Sequence, residues 1–278
     1  MLLNAKPIVE RKMNELRMRV EKLVEKPKLV IIRVGNDFAS GKYVNNKVKR
    51  CDEAGILSEI VHFPEDVESS VVESKILELN QDPETTALLL QLPLPKHLDE
   101  DYLTSLIVAE KDVDGFTTLN MGKLVLGQEG NVACTPYGII ELLKAYDIAI
   151  EGKDVLIINR SNIVGKPLAH LFLKENATVT VAHSKTRNLE QKVWDADIVV
   201  TAVGKANMFS ELHFSPYTTI VDVSINFDEN GKMCGDVTKS DYDRLVEKHC
   251  NITPVPGGVG QMTVSSLIEQ AIRIKERE

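Results

Sequence analysis

Short runs of β-branched and other apolar residues alternate along the chain with longer segments of helical periodicity. The strand-like runs cover residues 29–34, 58–62, 87–91, 154–159, 178–182, 197–203 and 219–223. The helical segments cover residues 39–54, 69–81, 136–146, 165–175, 188–194 and 239–248. Steady alternation of strands and helices predicts an α/β fold, with parallel sheets covered by helices on both faces.

The alternation falls into two series. The first ends near residue 106 and is followed by a stretch rich in Gly, Asp and Asn at 110–135, which has the composition of a loop. The second series runs from 136 to about 252. The segment TPVPGGVGQMT then leads into a predicted closing helix at 264–275. Two series of this length predict two domains.

Composition and charge narrow the class of protein. The 278 residues are 43% hydrophobic and 27% charged, which are ordinary globular values, and the formal net charge is −8. An acidic chain argues against a nucleic-acid or membrane-surface partner. The apolar start of the chain is too short for a signal peptide, and no apolar run approaches the roughly 20 residues that span a bilayer. We therefore expect a cytoplasmic protein.

Cysteine spacing and short motifs give little sign of a metal. No two of the four cysteines form a CxxC pair, and neither an HExxH motif nor a P-loop occurs. We therefore expect no metal site and no ATP-driven chemistry. A chain of this length has little need of a disulfide framework, so the cysteines are predicted to be small buried hydrophobic residues. They are Cys51, Cys134, Cys234 and Cys250.

The turn after the strand at 154–159 is a candidate nucleotide site. It reads RSNIVGKP and opens a helix, which is where a Rossmann fold places its phosphate-binding turn. The GxGxxG fingerprint is absent, since Asn159 stands where a first glycine is expected and only Gly165 remains. On this turn alone, nucleotide binding and an ordinary strand–helix connection are equally good interpretations.

The following strand favours NADP. It ends in HSKTR at 183–187, where an NAD enzyme usually has an Asp or Glu. Ser184, Lys185 and Arg187, with Arg160 from the preceding turn, suit a 2′-phosphate, which a carboxylate would repel. The alternative is a solvated basic loop. Two positions after later strands, Gly204 and Ile225, are candidates to line the cofactor, or are plain turn and core.

The first series carries candidate chemistry at its strand ends. Tyr43 and Lys47 are four residues apart and share one helical face. Gln91 emerges at the carboxyl end of a buried strand, and Asp112 and Asp114 flank a glycine turn in KDVDGF. Taken singly, such a lysine is usually a solvated charge and such an Asp-Gly pair is usually turn chemistry.

The order of these motifs resembles that of the methylenetetrahydrofolate dehydrogenase/methenyltetrahydrofolate cyclohydrolase family. The resemblance covers nearly the whole chain and rests on YVNNKVKRCDEAGI, QLPLPKHL, KDVDGF, CTPYGIIELL, RSNIVGKPLA, ATVTVAHSKT and TPVPGGVGQMT. It implies a folate-binding catalytic domain of residues 1–138 plus 257–278, to which the C-terminal helix returns. Residues 139–256 would form a Rossmann-like, doubly wound NADP-binding domain.

The resemblance also implies roles for particular residues. Lys47 would be the catalytic lysine, with Gln91 bonded to its ammonium group, Tyr43 against the pterin and Asp114 on the pterin N–H groups. Further substrate-side positions would be Ser40, Leu92, Pro93, Pro256, Gly257 and Gly258. Cofactor-side positions would be Asn159, Arg160, Ser161, Ser184, Gly204, Ile225 and Thr263.

The implied activity is oxidation of 5,10-methylenetetrahydrofolate by NADP, followed by hydrolysis to 10-formyltetrahydrofolate. Such a protein would serve purine and amino-acid biosynthesis as a homodimer that pairs through its second domain. Lys47 can both take a proton from water and deliver one to the leaving nitrogen if it is partly buried beside a cationic substrate. A neutral Gln91 would orient the amine without adding charge.

Four departures from the family pattern bear on these expectations. Asn159 and Ser224 stand where glycine is common, which places side chains near the expected dinucleotide. Gln261 replaces a proline at the end of the glycine loop, and Ala133 replaces another before Cys134. Three other functions remain open: a different nicotinamide enzyme such as an amino-acid or shikimate-type dehydrogenase, a binding module without catalysis, and a dehydrogenase without hydrolase activity.

Overall fold

The computed structural model describes residues 1–277, without the side chains of Phe38, Ala39, Ser40 and Lys42. The chain divides into two compact units. One, the three-stranded unit, comprises Arg11–Cys134 and the chain from Val264 onwards. The other, the five-stranded unit, comprises Met1–Glu10 and Thr135–Thr263.

The three-stranded unit is built on a parallel sheet of order β2-β1-β3. Its strands are β1 (Lys28–Val34), β2 (Leu57–Phe63) and β3 (Ala87–Leu90). Its helices are α2 (Phe38–Ala54), α3 (Ser69–Gln81), α4 (Glu100–Ser105) and α5 (Thr118–Val125). Two more helices, α1 (Lys6–Val20) and α10 (Val259–Glu276), have most of their length in this unit.

The five-stranded unit has a parallel sheet of order β10-β7-β6-β4-β5. Its strands are β4 (Asp154–Ile158), β5 (Thr178–Ala182), β6 (Ile198–Thr201), β7 (Thr219–Asp222) and β10 (Asn251–Ile252), with a short antiparallel pair, β8 (Asn226–Phe227) and β9 (Met233–Cys234). Its helices are α6 (Cys134–Ala145), α7 (Gly165–Lys174), α8 (Leu189–Asp195) and α9 (Tyr242–Glu247).

Burial explains why apolar runs form most of the strands. Every residue of β3, β6 and β7 is buried, as expected for parallel strands covered by helices on both faces. The edge strands β2 and β5 are partly exposed. Apolar side chains from strands and helices form a core cluster around Ile32 and Ile76 in the first unit and another around Val199 and Phe214 in the second.

The order of the second sheet sets a switch point between β4 and β6. After β4, the chain goes to β5 on one side and then crosses to β6 on the other. In open parallel sheets, ligands bind beyond the carboxyl ends of the strands at such a point. The turns after β4 and β6 are therefore the places at which this sheet can receive a ligand.

The predicted α/β architecture is confirmed, but several details differ. All seven predicted strands occur, with shifts of one or two residues. The segment at 110–135, expected to be loop, contains α5, and the closing helix begins at Val259, five residues earlier than predicted. Residues 1–10, 135–138 and 257–263, which the resemblance assigns to the catalytic domain, group with the five-stranded unit. In the first of these segments, Leu3 N–H bonds to Ile252 and Ala5 N–H to Gly257.

Over residues 1–277, no helix is both long enough and apolar enough to cross a membrane.

Candidate active site

Lys47 and Gln91 form a hydrogen-bonded pair in the three-stranded unit. Lys47 lies in the middle of α2, and Gln91 directly follows β3. The Lys47 ammonium group donates to Gln91 Oε1 at 2.9 Å, and both side chains are half-buried. Gln91 Nε2 donates to the Leu92 carbonyl at 2.7 Å, which leaves the amide oxygen to face the lysine. The predicted partnership is therefore present, and its amide has one fixed orientation.

Asp114 is the charged neighbour of this pair. Burial raises the pKa of its carboxyl group, while the nearby positive charge of Lys47 acts in the opposite direction. The Cys134 side chain forms a hydrogen bond with it. Lys47, Gln91 and Asp114 therefore lie together, so that an ammonium group, an amide and a carboxylate line one side of the site.

The two aspartates of KDVDGF have different tasks. Asp112 is buried and accepts hydrogen bonds from Gly115 N–H at 2.9 Å and Thr117 N–H at 2.8 Å, so it builds the turn. Gly115 has φ +68°, and a Cβ there would lie 2.6 Å from the Val132 backbone. The turn interpretation therefore describes Asp112 and Gly115, and Asp114 is the member left to act on a ligand.

Gln270 of α10 supports the Asp114 turn and was not predicted from the sequence. Its Oε1 accepts from Val132 N–H at 2.6 Å, and its Nε2 donates to the carbonyls of Val113 at 2.9 Å and Val132 at 2.6 Å. The same nitrogen lies 3.2 Å from Cys134 Sγ. Nothing in the local sequence around Gln270 signals this, because its partners lie about 140 and 157 residues earlier.

The four cysteines are free and buried, as predicted. Burial raises the pKa of the Cys134 thiol well above its ordinary value, with a further contribution from the Asp114 charge. This cysteine is therefore a neutral hydrogen-bonding neighbour of Asp114. Among the described residues, no group of three or more His, Cys, Asp or Glu side chains is placed to hold a metal ion.

The remaining substrate-side predictions fall in different places. Tyr43 lies one helical turn before Lys47, and burial raises the pKa of its phenol although 40% of the residue is exposed. Leu92 and Pro93 follow Gln91 and are half-buried and exposed, respectively. The Ser40 side chain lies outside the described residues. The glycine-loop positions belong to the five-stranded unit; they are Pro256, Gly257 and Gly258.

In the five-stranded unit, the turn after β4 is organised by the side chain of Asn159. Its Oδ1 accepts from Ser161 N–H at 2.8 Å, the Ser161 hydroxyl at 2.7 Å and Gly165 N–H at 3.0 Å. Its Nδ2 donates to the Ala202 carbonyl at 2.7 Å, which joins the ends of β4 and β6. The carboxamide of Asn159, which replaces a glycine common in the family pattern, is therefore folded into the turn.

The residues around this turn fit a phosphorylated dinucleotide. Gly165, at the start of α7, has no room for a Cβ, which would collide with the Asn159 carbonyl group. Arg160, Ser184, Lys185 and Arg187 are exposed, and no carboxylate occurs in the 183–187 turn. Exposed cations and hydroxyls without a nearby carboxylate are the donor set that a 2′-phosphate requires.

The turns after β6 and β7 meet at the same sheet edge. Gly204 is exposed with φ +74°, and a Cβ there would have open space around it. The Ser224 hydroxyl accepts from Gly204 N–H at 3.0 Å, so this side chain also points inward. Ile225 is 40% exposed, and its Cδ1 lies 3.8 Å from the position of a Cβ on Gly260.

Thr263 lies on α10 of the same unit. Its hydroxyl pairs with the Thr135 hydroxyl at 3.0 Å and donates to the Val259 carbonyl at 3.2 Å. The cofactor-side positions predicted from the sequence therefore all lie in the five-stranded unit, on the turns after β4, β5, β6 and β7 and on the first turns of α10.

Comparisons with known proteins match both parts of the chain to the same family. The family model "Tetrahydrofolate dehydrogenase/cyclohydrolase, catalytic domain" matches residues 3–114, and the model for the "NAD(P)-binding domain" of the same family matches residues 133–278. A "Bifunctional protein FolD" from Listeria innocua is 45% identical over 273 residues, which is 98% of this chain and 95% of the relative.

Solved structures of enzymes from this family are also similar to the chain. The bifunctional methylenetetrahydrofolate dehydrogenase/cyclohydrolase of Campylobacter jejuni has a TM-score of 0.96 and 40% identity, and the match covers 100% of this chain and 99% of that one. The corresponding enzyme of Trypanosoma brucei, solved with NADP cofactor and an inhibitor, has a TM-score of 0.92 and 30% identity, with 100% and 97% covered.

The doubly wound sheet with its phosphate-type turn, and the ammonium–amide–carboxylate group of the other unit, define a two-domain dehydrogenase that uses a nicotinamide dinucleotide. More specifically, the chain belongs to the tetrahydrofolate dehydrogenase/cyclohydrolase family. It is a bifunctional methylenetetrahydrofolate dehydrogenase and methenyltetrahydrofolate cyclohydrolase with NADP as its cofactor. The predicted family, fold class, enzyme class and cofactor are confirmed.

Proposed function

We propose that Lys47 is the acid–base group of the hydrolysis and that Gln91 and Asp114 prepare it and the folate for reaction. The single observation that carries this proposal is the Lys47–Gln91 hydrogen bond beside a half-buried Asp114. In the oxidation, the bridging methylene carbon of the folate loses a hydride and becomes a delocalised cation. NADP, when bound, supplies the acceptor for that hydride.

Orientation is the task of the protein in the oxidation step. The Asp114 carboxylate accepts hydrogen bonds from the pterin amino and ring N–H groups, and the Tyr43 ring packs against the pterin. Holding the reacting carbon in one position lowers the entropic part of the barrier. In the other unit, Arg160 and Ser184 would hold the 2′-phosphate end of the dinucleotide, and Gly204 and Ile225 would line its path. Ser161 shapes the turn beside them, because its N–H and its hydroxyl both donate to Asn159 Oδ1.

Hydrolysis needs a proton taken from water and a proton given to the leaving ring nitrogen. The Lys47 amine performs both transfers, since one group can act as base and then as acid. Gln91 orients the amine through a neutral oxygen. A carboxylate at position 91 would hold the ammonium proton in a stronger charge-assisted bond. This preference for an amide is a physical reason for Gln at that position.

The wider setting follows from the product. 10-Formyltetrahydrofolate is a formyl donor, so we place the enzyme in the one-carbon supply for purine and amino-acid biosynthesis. We also propose a homodimer paired through the five-stranded unit, as the family resemblance implies. A cytoplasmic location is supported by the four free thiols, since disulfides are rare and thiols persist in that compartment.

An absorbance assay tests the proposed function. Purified protein is mixed with methylenetetrahydrofolate and either NADP or NAD, and the methenyl intermediate is followed as it rises and falls. We expect faster oxidation with NADP, and then decay of the intermediate. Absence of NADP-dependent oxidation would refute the dehydrogenase assignment. A methenyl signal that rises and decays no faster than without protein would identify a dehydrogenase that lacks the hydrolase activity.

The variant Gln91→Glu tests the amide argument in the same assay. We expect the methenyl intermediate to accumulate, because the glutamate would retain the Lys47 proton, while oxidation continues. Hydrolysis at the wild-type rate in this variant would show that the neutrality of residue 91 is not needed.

A further inference from the structure

A single buried carboxylate supports the two turns at the edge of the second sheet. Asp236 directly precedes Val237 after β9, and its exposure is 0%. Five donors point to it. Four belong to the end of β6 or to the turns after β6 and β7, and the fifth, Asn226, begins β8. They are the hydroxyls of Thr201 (2.7 Å) and Ser224 (2.8 Å), the N–H groups of Val203 (2.7 Å) and Lys205 (2.9 Å), and the amide of Asn226 (3.1 Å).

Ser224 connects this carboxylate to Gly204. The Ser224 hydroxyl donates to Asp236 Oδ2 and accepts from Gly204 N–H at 3.0 Å. Gly204, with φ +74°, is thereby tied to Asp236 through one side chain. Glycine, which is common at position 224 in the family pattern, has no atom that can make this connection.

The chemistry of the donor set requires an acid at position 236. An ionised carboxylate is an acceptor at both oxygens and has lone pairs for about four donors. An asparagine would place an NH₂ group opposite two or three of the same donors. Bonds to an ionised acceptor are also shorter and stronger than bonds to a neutral one. Asp236 is therefore suited to hold both turns in one geometry.

We propose that Asp236 is a positioning residue for the dinucleotide. It fixes the backbone on either side of Gly204 and the turn that carries Ile225, without touching the cofactor itself, and Ser224 is the link through which it holds the Gly204 amide. The inference rests on the proposed function, because Gly204 and Ile225 are assigned there to the cofactor path.

The test is Asp236→Asn in the full-length protein, with both activities measured. We expect the KM for NADP to rise at least about tenfold, the factor that corresponds to one lost charge-assisted hydrogen bond. The dehydrogenase kcat at saturating NADP should change less. Hydrolysis of added methenyltetrahydrofolate without NADP should stay near the wild-type rate, because Lys47 lies in the other unit.

A matched control and a milder variant complete the design. Asp228 also accepts two backbone N–H groups, those of Asn230 at 2.9 Å and Lys232 at 2.8 Å, but it lies in the β8–β9 turn. Asp228→Asn should leave the KM for NADP unchanged. Ser224→Ala removes only the link to Gly204 and should raise the KM by a smaller factor. Because Ser224 acts through Asp236, adding it to Asp236→Asn should have little further effect.

Two results would overturn the role of Asp236. One is an unchanged KM for NADP in folded Asp236→Asn, or in Ser224→Ala should the first variant not fold. The other is a parallel loss of oxidation and hydrolysis, which indicates a merely structural role. The variant Arg160→Ala separates this failure from that of the proposed function. If it weakens NADP while Asp236→Asn does not, only the positioning role is wrong; if neither affects NADP, the cofactor site is misassigned.

Discussion

Replacing Lys47 by methionine removes the terminal nitrogen and keeps an unbranched, apolar stem up to the position of the lysine Cε. In the structure, the ammonium group donates a hydrogen bond to Gln91 Oε1 at 2.9 Å, and its positive charge acts on Asp114. Lys47→Met therefore deletes the proton carrier while the half-buried stem remains. We expect hydrolysis of the methenyl intermediate to be abolished or nearly so, and oxidation to be reduced much less.

The expected magnitudes separate a chemical effect from a folding effect. Loss of the bond to Gln91 costs about 1 kcal/mol of folding free energy at a half-buried site. Stability for a domain is about 5–15 kcal/mol, so nearly all of the variant stays folded. Loss of a general acid–base group costs about 10²–10⁴ in rate, or roughly 3–5 kcal/mol of activation free energy. The loss of hydrolysis therefore exceeds any loss from unfolding.

The assay follows the methenyl chromophore in two modes. With methylenetetrahydrofolate and NADP, the variant should form the intermediate and then stop there. With added methenyltetrahydrofolate, the decay should match the rate without protein. Lys49→Met is the control, because Lys49 is an exposed lysine on the same helix, with only a 4.0 Å ion pair to Glu53. It should retain both activities.

Equal loss of oxidation and hydrolysis in Lys47→Met, with circular dichroism and thermal unfolding unchanged, would contradict a dedicated proton-transfer role. Lys47 would then act mainly in folate binding. Such a result would leave the family assignment in place and would remove the mechanistic argument built on the Lys47–Gln91 pair.

Three further predictions concern the cofactor, the pH dependence of stability and the last helix. Arg160→Ala should weaken the binding of NADP roughly 10–100-fold and that of NAD much less. The control is Lys166→Ala, at a neighbouring exposed lysine, which should not weaken NADP binding. An unchanged ratio of the KM for NADP to the KM for NAD in Arg160→Ala removes the 2′-phosphate argument. Burial raises the pKa of Asp222 from 3.8 to about 7, so its contribution to stability is full below about pH 4 and is lost as the pH rises towards 7. Denaturant unfolding should show wild-type stability falling by roughly 4 kcal/mol relative to Asp222→Asn between about pH 4 and pH 7, and a flat or rising difference would contradict this. Gln270→Met should leave backbone groups around Asp114 unpaired, and should therefore lower the free energy of unfolding by about 2–4 kcal/mol and raise the KM for folate. An unchanged KM for folate would show that Asp114 keeps its position without Gln270.

The strands were predictable because each is a short apolar run bounded by turn residues, and such runs are buried in parallel sheets. Helix α1 carried an equally clear signal, since its buried residues recur at helical spacing, yet it was not predicted. They are Val9, Met13, Leu16 and Val20. The first turn of α10, which begins at Val259, was not predictable, because the glycines there indicate a loop by composition.

The site was predictable where its residues belong to linear motifs, as Lys47, Gln91 and Asp114 do. Without the family resemblance, the motif KDVDGF does not show which of Asp112 and Asp114 builds the turn and which faces a ligand. Both are aspartates beside the same glycine turn, and only the hydrogen bonds of the structure distinguish them. The orientation of the Asn159 side chain was not predictable for a similar reason. Only the structure shows that its carboxamide accepts a hydrogen bond from Gly165 N–H, a group that could otherwise bond to solvent or to a ligand.

The support that Gln270 gives to the Asp114 turn has a consequence for biosynthesis. A ribosome makes the β1–β3 region first, but the side chain that completes its turn, Gln270, is encoded only after the whole five-stranded unit. The nascent protein therefore carries an unfinished catalytic half while the whole dinucleotide half is being translated.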